Sequence, residues 1–236
     1  MPSLIYLVWI RNTEKYGREP YGRLLRIFFL GATLSILGAL VLETLLMVLL
    51  SMNMERVYQI LGENPSLEAL ILACVIAPLA EELTKGLGVF RYRRLISSIE
   101  DGIIFGAAAG LGFAATENLL YEGMAYFTDG AQAFVETAVI RSLCSALLHA
   151  STSSVFGLGI ARSSRQGRSW FPYYIGAVLM HGAFNFFASF GALYEEDLGP
   201  ESYLIGLVAA FVIAFAAIAG VRAKIRQLDT ETRPHY

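Results

Sequence analysis

Residues 101–121 read DGIIFGAAAGLGFAATENLLY, an apolar run in which Gly102, Gly106 and Gly110 recur every four residues. Residues four apart lie on one face of a helix, and glycines on one face let two helix backbones approach closely. About 20 apolar residues are also long enough to cross the hydrocarbon core of a bilayer as a helix. The sequence therefore predicts a membrane-spanning helix here, at the centre of a helical bundle.

The composition of the whole chain favours a membrane protein. Of its 236 residues, 56% are hydrophobic and 16% are charged, and the mean hydropathy is +0.54. A soluble domain of this composition would aggregate. The net charge of −2 argues against a nucleic-acid partner. Cys74 and Cys144 lie in apolar segments without CxxC spacing, so we expect them to be packing residues.

Six stretches are long and apolar enough to span a bilayer. The predicted spans are 24–50, 67–89, 102–121, 133–160, 171–192 and 201–222. The opening MPSLIYLVWI is too short to span and lacks the features of a signal peptide, so residues 1–23 are expected to form an interfacial segment whose first residues are an interfacial or half-length helix. The fold prediction is an all-α membrane protein with about six transmembrane helices, in which residues 24–222 form the bundle and residues 223–236 a tail.

Lysine and arginine residues are unevenly distributed between the connectors. Of the 18 such residues, Lys85 and Arg141 lie within spans, and Arg56 alone lies in the connectors 51–66, 122–132 and 193–200. The other fifteen lie around the start of the first span, in the two remaining connectors and in the tail. Because cytoplasmic loops carry the excess of cations, both termini are expected in the cytoplasm.

Several polar residues fall inside the predicted spans. An ionisable side chain near the bilayer centre costs about 2.5–3.5 kcal/mol on insertion scales, so each one needs a partner or a function. The residues concerned are Glu81, Glu82, Lys85, Glu117, Asn118, Arg141, His149, Ser153, His181 and Asn185. We expect Arg141, in the outer half of its span, to be a structural counter-ion of Glu43, Glu117 or Glu136.

Helical spacing groups these residues further. Three pairs are four positions apart and share a helix face: Glu81 with Lys85, His149 with Ser153, and His181 with Asn185. At 1.5 Å per residue, the two adjacent glutamates and the two histidines lie at a similar depth near the middle of the membrane. Two histidines at one depth beside two glutamates predict a functional site.

Carboxylate, imidazole and amide groups in a hydrated cavity are suited to the hydrolysis of an amide. In one arrangement Glu81 or Glu82 accepts a proton from water, while His181 and Asn185 donate to the developing oxyanion. Adjacent residues on a helix point about 100° apart, so only one of the two glutamates is expected to face the cavity.

A metal-dependent arrangement is the alternative, since two histidines and a carboxylate also form the ligand set of a catalytic zinc ion. The candidate zinc ligands are Glu117, His149 and His181. The motifs HExxH, GxSG and GxGD, which mark other membrane or metal-dependent proteases, are absent from the sequence. Spacing alone leaves both the zinc-dependent and the metal-free arrangement open.

Four motifs on successive predicted helices resemble those of the PrsW family of bacterial membrane proteases, which are distantly related to the CAAX prenyl proteases. They are EELTKG at 81–86, FGAAAGLGFAATENLLY at 105–121, HASTS at 149–153 and HGAFN at 181–185. The resemblance covers roughly residues 11–190. It implies an endopeptidase of the prokaryotic cytoplasmic membrane that cuts a membrane-anchored protein, with an anti-sigma factor as the type of substrate.

The resemblance also implies roles for individual residues. Glu81 and Glu82 would be the essential acidic pair, and Glu117 would stand where the CAAX proteases have a histidine. His181 and Asn185 would match the second histidine motif of those enzymes. The remaining motif positions in this chain are Lys85, Asn118, His149 and Ser153. Family members usually have a complete first span where this chain has only about ten apolar residues.

Two other classes of protein also place charged residues inside a membrane. A proton- or cation-coupled transporter would do so, although the sequence contains no inverted repeat and no matching pair of broken helices. A non-catalytic membrane scaffold would retain the same fold and present a binding partner. Both classes remain alternatives to the protease.

The distribution of cations generates a topology prediction. Reporter fusions at residues 60, 128 and 197 are expected to report the outside of the membrane, because the connectors that hold them contain one cation against fifteen elsewhere. Phosphatase and fluorescent-protein reporters measure this directly. A fusion at residue 128 that reports the cytoplasm would contradict the arrangement of six spans.

Overall fold

The structure is a computed structural model that describes residues 2–64 and 66–231, which form helices joined by short connections. The helices are α1 (Pro2–Arg11), α2 (Tyr21–Ser51), α3 (Met54–Leu61), α4 (67–91), α5 (Ile99–Asp129), α6 (Ala131–Leu143), α7 (Ser145–Gln166), α8 (Phe171–Ala188), α9 (Phe190–Leu198) and α10 (Glu201–Glu231). The described residues contain no strand, so the all-α prediction is confirmed. Residues 232–236 of the predicted tail lie outside the described residues.

Helices occupy all six predicted spans. By length and composition, four are apolar enough to cross a membrane, namely α2, α5, α10 and the α6–α7 pair, which a turn at Cys144 interrupts. Helices α8 and α9, bent by 43°, make a fifth if they act as one span. Helix α4 is less apolar because it carries Glu81, Glu82 and Lys85. The count of six and the cytoplasmic location of both termini stay predictions.

Helix α5 lies at the centre of the bundle, as its glycine spacing predicts. Every residue from Glu100 to Ala115 is buried. A Cβ atom at Gly106 would overlap the carbonyl group of Ser153, and one at Gly110 would overlap that of His149. Only glycine therefore permits α7 to lie this close to α5. The close contact falls on the part of α7 that carries polar side chains.

The start of α5 is set by a capping box. The Ser98 side chain accepts a hydrogen bond from the backbone N–H of Asp101, and the Asp101 carboxylate accepts one of 2.9 Å from the backbone N–H of Ser98. Ser97 donates from its backbone N–H to the same carboxylate at 2.7 Å. These bonds satisfy N–H groups that the first helical turn leaves unpaired, and they define where α5 begins.

The N-terminal segment packs onto the bundle. Leu7 and Ile10 of α1 are buried in the core, and α1 contacts α5. The Asp229 carboxylate of α10 accepts hydrogen bonds of 3.0 and 2.9 Å from the backbone N–H groups of Lys15 and Tyr16. Helix α10 therefore continues past residue 222, the predicted end of the bundle, and holds the segment that follows α1.

Close packing of α5 against α7 generates a stability prediction. Gly106→Ala is expected to destabilise the fold by about 1–3 kcal/mol, because the added methyl group would overlap the Ser153 carbonyl. Gly123→Ala, in the same helix but with open space around it, is the matched control, and the better helix propensity of alanine should leave its stability equal or higher. Thermal unfolding in detergent measures both. Equal unfolding temperatures for the two variants would contradict the close approach of the helices.

Candidate active site

The polar residues predicted from four different helices meet in one cluster. The hydrogen-bonded members are Glu81, Glu82, Lys85, Glu117, His149, Ser153 and His181. Glu82 and Lys85 are completely buried, and the two histidines are nearly so. The charges of Glu82 and Lys85 are therefore removed from solvent and satisfied within the cluster, whereas Glu81 and Glu117 also line a cavity.

Glu82 is the most extensively bonded carboxylate of the cluster. Its Oε1 atom lies 2.8 Å from Lys85 Nζ and 2.9 Å from His181 Nδ1, and it accepts a 2.9 Å hydrogen bond from the Thr152 hydroxyl. Its Oε2 atom accepts a 3.2 Å bond from the Ser153 hydroxyl. A carboxylate with this many partners holds neighbouring groups in place. Sequence reasoning missed Thr152, although it stands inside the HASTS motif.

Glu81 shares the Lys85 ammonium with Glu82 but lines a cavity. Its Oε2 atom lies 3.1 Å from Lys85 Nζ, 3.7 Å from His149 Nδ1 and 4.0 Å from His181 Nε2. The two adjacent glutamates thus divide between the cavity and the neighbouring helices, as the angle of about 100° between them requires.

The partners of each imidazole define which nitrogen carries its proton. An ammonium group only donates, so His149 Nδ1 accepts from Lys85 Nζ at 2.8 Å, and Nε2 donates to Glu117 Oε2 at 2.9 Å. His181 Nδ1 donates to Glu82, which leaves a lone pair on Nε2. The unprotonated nitrogen of each ring is therefore the one nearer to Glu81.

Three of these residues form a group that can hold a metal ion. One ligand atom each from Glu81, His149 and His181 lies within 4.8 Å of the other two, and all three residues are buried. Glu117, expected as a zinc ligand with the two histidines, lies behind the His149 ring instead and contacts its protonated nitrogen. The structure thus places Glu81, and not Glu117, beside the nitrogen of each ring that carries the lone pair, and in His149 that lone pair accepts the hydrogen bond from Lys85.

Arg141 explains why Glu117 is held in that position. The guanidinium of Arg141 donates to Glu117 Oε2 at 2.7 Å and to Asn118 Oδ1 at 2.9 Å. It also lies over the ring of Tyr121, 3.9 Å from the centroid. The counter-ion role expected for Arg141 therefore involves Glu117, and Asn118 contacts the guanidinium and not the histidines.

The cavity above the cluster has a volume of about 570 Å³ and runs parallel to the helices. Helices α2, α5 and α8 each line it with residues at i, i+3, i+4 and i+7, from Ile36 to Glu43, from Glu117 to Met124 and from His181 to Ala188. Seven residues of helix rise by roughly 10 Å. Along all three helices the cavity therefore extends from the cluster toward the C-terminal ends. These ends are predicted to lie on the outer side of the membrane.

Asn185 lies one turn above His181 in the wall of the cavity. Its side-chain N–H donates at 2.8 Å to the carbonyl of Ala73, which belongs to a π-helical segment of α4, Leu72–Ile76. Such segments are frequent at functional sites. A side-chain amide carries two N–H bonds, so one remains for a ligand in the cavity.

Comparisons with known proteins agree on one family. A family model described as the PrsW family intramembrane metalloprotease matches residues 19–218. The chain is 28% identical to Protease PrsW of Clostridioides difficile over 196 residues, which cover 79% of this chain and 75% of that protein. It is 26% identical to Protease PrsW of Shouchella clausii over 225 residues, which cover 92% and 94% of the two chains. No solved structure matches.

The ion pair of Arg141 generates the prediction for this site. Arg141→Gln is expected to lower the folded yield more than the turnover per folded molecule, because it removes the positively charged partner of the Glu117 carboxylate and leaves only the His149 hydrogen bond. The double variant Arg141→Gln/Glu117→Gln should recover part of the yield. Size-exclusion profiles and cleavage rates measure the two effects. Normal yield with abolished turnover in the single variant would be inconsistent with a structural counter-ion.

Proposed function

Because this chain belongs to the PrsW family of intramembrane proteases, we propose that it hydrolyses a peptide bond of a membrane-anchored protein in the cavity between α2, α5 and α8. Its relatives are bacterial membrane proteases, so a protease of the membrane is favoured over a transporter or a scaffold. The observation that carries the proposal is the convergence of Glu81, His149 and His181 at the floor of that cavity.

The same three residues are proposed to bind a divalent metal ion such as Zn²⁺. One carboxylate and two imidazoles are the ligand set of many catalytic zinc sites. In both histidines the other ring nitrogen contacts a carboxylate, Glu117 for His149 and Glu82 for His181. That arrangement orients metal-binding histidines in known sites, and it supports metal binding here.

The charge of the site also favours a cation. The ion-paired groups of the site are Glu81, Glu82 and Glu117 with Lys85 and Arg141, which leaves a charge of −1 with both histidines neutral. A divalent ion would offset this charge in a region where unpaired charge is costly. The Lys85 ammonium occupies the His149 lone pair, so a bound ion would have to displace it from His149, and Glu82 would remain its partner.

In the proposed mechanism Glu81, His149 and His181 would hold the ion, which would supply Lewis acidity toward a water molecule and the scissile carbonyl group. Glu117 is the proposed proton acceptor, since its Oε1 atom makes no hydrogen bond within the described residues while Arg141 and His149 hold Oε2. Asn185 is proposed to donate its second N–H to the developing oxyanion. Glu82 and Lys85 position the ligands without touching the substrate.

The direction of the cavity suggests how the substrate enters. The cavity extends from the cluster toward the C-terminal ends of α2, α5 and α8, which the distribution of cations predicts to be outside. The lining also includes apolar side chains such as Leu40, Leu72, Phe113 and Phe184, which suit a membrane-spanning segment. We propose that the substrate is cut in the outer half of the membrane, and an anti-sigma-factor-type substrate remains the expectation from the family.

Separate substitutions test the ligands and the proton acceptor. Glu81→Gln is expected to release the metal, because it removes a proposed ligand. Cleavage of a membrane-anchored reporter protein should fall by about a hundredfold or more, which is the usual effect of losing a catalytic group. Glu117→Gln should lower cleavage by a similar factor but retain the metal. Elemental analysis and cleavage assays on the same purified samples distinguish the two roles.

Glu136→Gln is the matched control, because Glu136 is an exposed carboxylate of α6 whose one side-chain hydrogen bond among the described residues is with Gln132. It should cleave at the wild-type rate. Full activity of folded Glu81→Gln, Glu82→Gln and His181→Ala proteins would overturn the proposed protease mechanism. An active wild-type protein without metal, insensitive to chelation, would overturn the metal site alone and return Glu81 to the role of base.

A further inference from the structure

One carboxylate in the wall of the catalytic cavity has no partner. Glu43 of α2 lines the cavity, and within residues 2–64 and 66–231 it makes no hydrogen bond and no ion pair. A charged side chain inside a membrane is costly, and such residues commonly bind a substrate or an ion. Glu43 is therefore a carboxyl group that is available to a positively charged group entering the cavity.

Neither nearby cation is available to Glu43. The Arg141 guanidinium is occupied by Glu117 and Asn118. The Lys85 ammonium is completely buried beneath the cavity and contacts Glu81, Glu82 and His149. Since Glu81 and Glu117 have cationic partners, Glu43 is the cavity carboxylate left to meet a group that enters from outside.

The packing of α2 against α4 places Glu43 close to the reaction centre. The two helices run antiparallel, and Gly38 lies level with Thr84, since a Cβ atom at Gly38 would be 3.3 Å from the Thr84 side chain. Glu43 stands five residues, or roughly 7.5 Å, from Gly38 toward the mouth of the cavity. Glu81 stands three residues, or roughly 4.5 Å, from Thr84 in the same direction. Along the helix axes Glu43 is thus roughly 3 Å beyond Glu81, about one residue of an extended peptide.

We infer that Glu43 selects substrates that carry a lysine or arginine within one or two residues of the scissile bond. This inference rests on the proposed proteolytic function. The ammonium or guanidinium group pairs with the Glu43 carboxylate inside the cavity, where attraction between charges is stronger than in bulk water. An apolar side chain at that position leaves the carboxylate unpaired, and an acidic one adds repulsion, so both are disfavoured.

The test uses the full-length protein and a set of membrane-anchored peptides that share one cleavage sequence. Lysine, leucine or glutamate is placed in turn at each of the three positions on either side of the scissile bond. At one position or two adjacent ones, the wild-type protein is expected to prefer lysine to leucine by about tenfold in kcat/KM. The preference should lie mainly in KM, because the ion pair forms equally in the ground state and the transition state.

Variants of Glu43 should change this preference specifically. Glu43→Gln is expected to abolish the lysine-to-leucine ratio, and Glu43→Lys to reverse it in favour of the glutamate peptide. Glu136→Gln, the exposed carboxylate of α6, should keep the wild-type ratio. The preference of the wild-type protein is measured without any variant, so a variant that fails to fold does not prevent the test.

Each outcome bears on a different statement. Cleavage by the wild-type protein with equal kcat/KM for all peptides overturns the role of Glu43 and upholds the proposed protease. No cleavage of any peptide by folded, metal-containing protein overturns the proposed function, and the inference about Glu43 with it. A uniform fall in kcat on all peptides in Glu43→Gln would place Glu43 in the chemical step and overturn its role in selection.

Discussion

The ammonium group of Lys85 is completely buried among Glu81, Glu82 and His149, and the pairing of this charge constrains the packing of the whole bundle. A buried ion pair is tolerable only when the remaining lone pairs and protons of its members are also satisfied. Helix α4 cannot do this alone, so α7 and α8 must bring their hydroxyl and imidazole groups within hydrogen-bonding distance of its carboxylates. The need to satisfy these charges therefore brings together the elements that form the cavity floor.

Glycine makes this arrangement sterically possible. The carbonyl groups of Ser153 and His149 lie where side chains at Gly106 and Gly110 would otherwise stand, so the polar face of α7 reaches the centre of the bundle. The same approach brings His149 Nε2 within 2.9 Å of Glu117 on α5. Backbone packing and the orientation of the imidazole are thus consequences of one helix–helix contact.

The carboxylates of the site differ in what surrounds them, although they are chemically identical. Glu82 is enclosed by donors, Glu117 is held by Arg141 and His149, Glu81 faces the two imidazole lone pairs, and Glu43 faces open cavity. Their proposed roles follow from these surroundings as positioning, proton acceptance, metal binding and substrate selection. The cavity joins them because α2, α5 and α8 each present one helical face to it over two turns.

Composition and periodicity by themselves determined the all-α membrane class, the positions of the helices, the central place of α5 and the residues of the four motifs. Helical spacing does this because a period of 3.6 residues states which side chains share a face. It does not state how two helices are rotated or how far one is shifted along another. Only the tertiary structure therefore placed Glu81 beside both histidines, paired Glu117 with Arg141, added Thr152 to the cluster, and left Glu43 without a partner among the described residues.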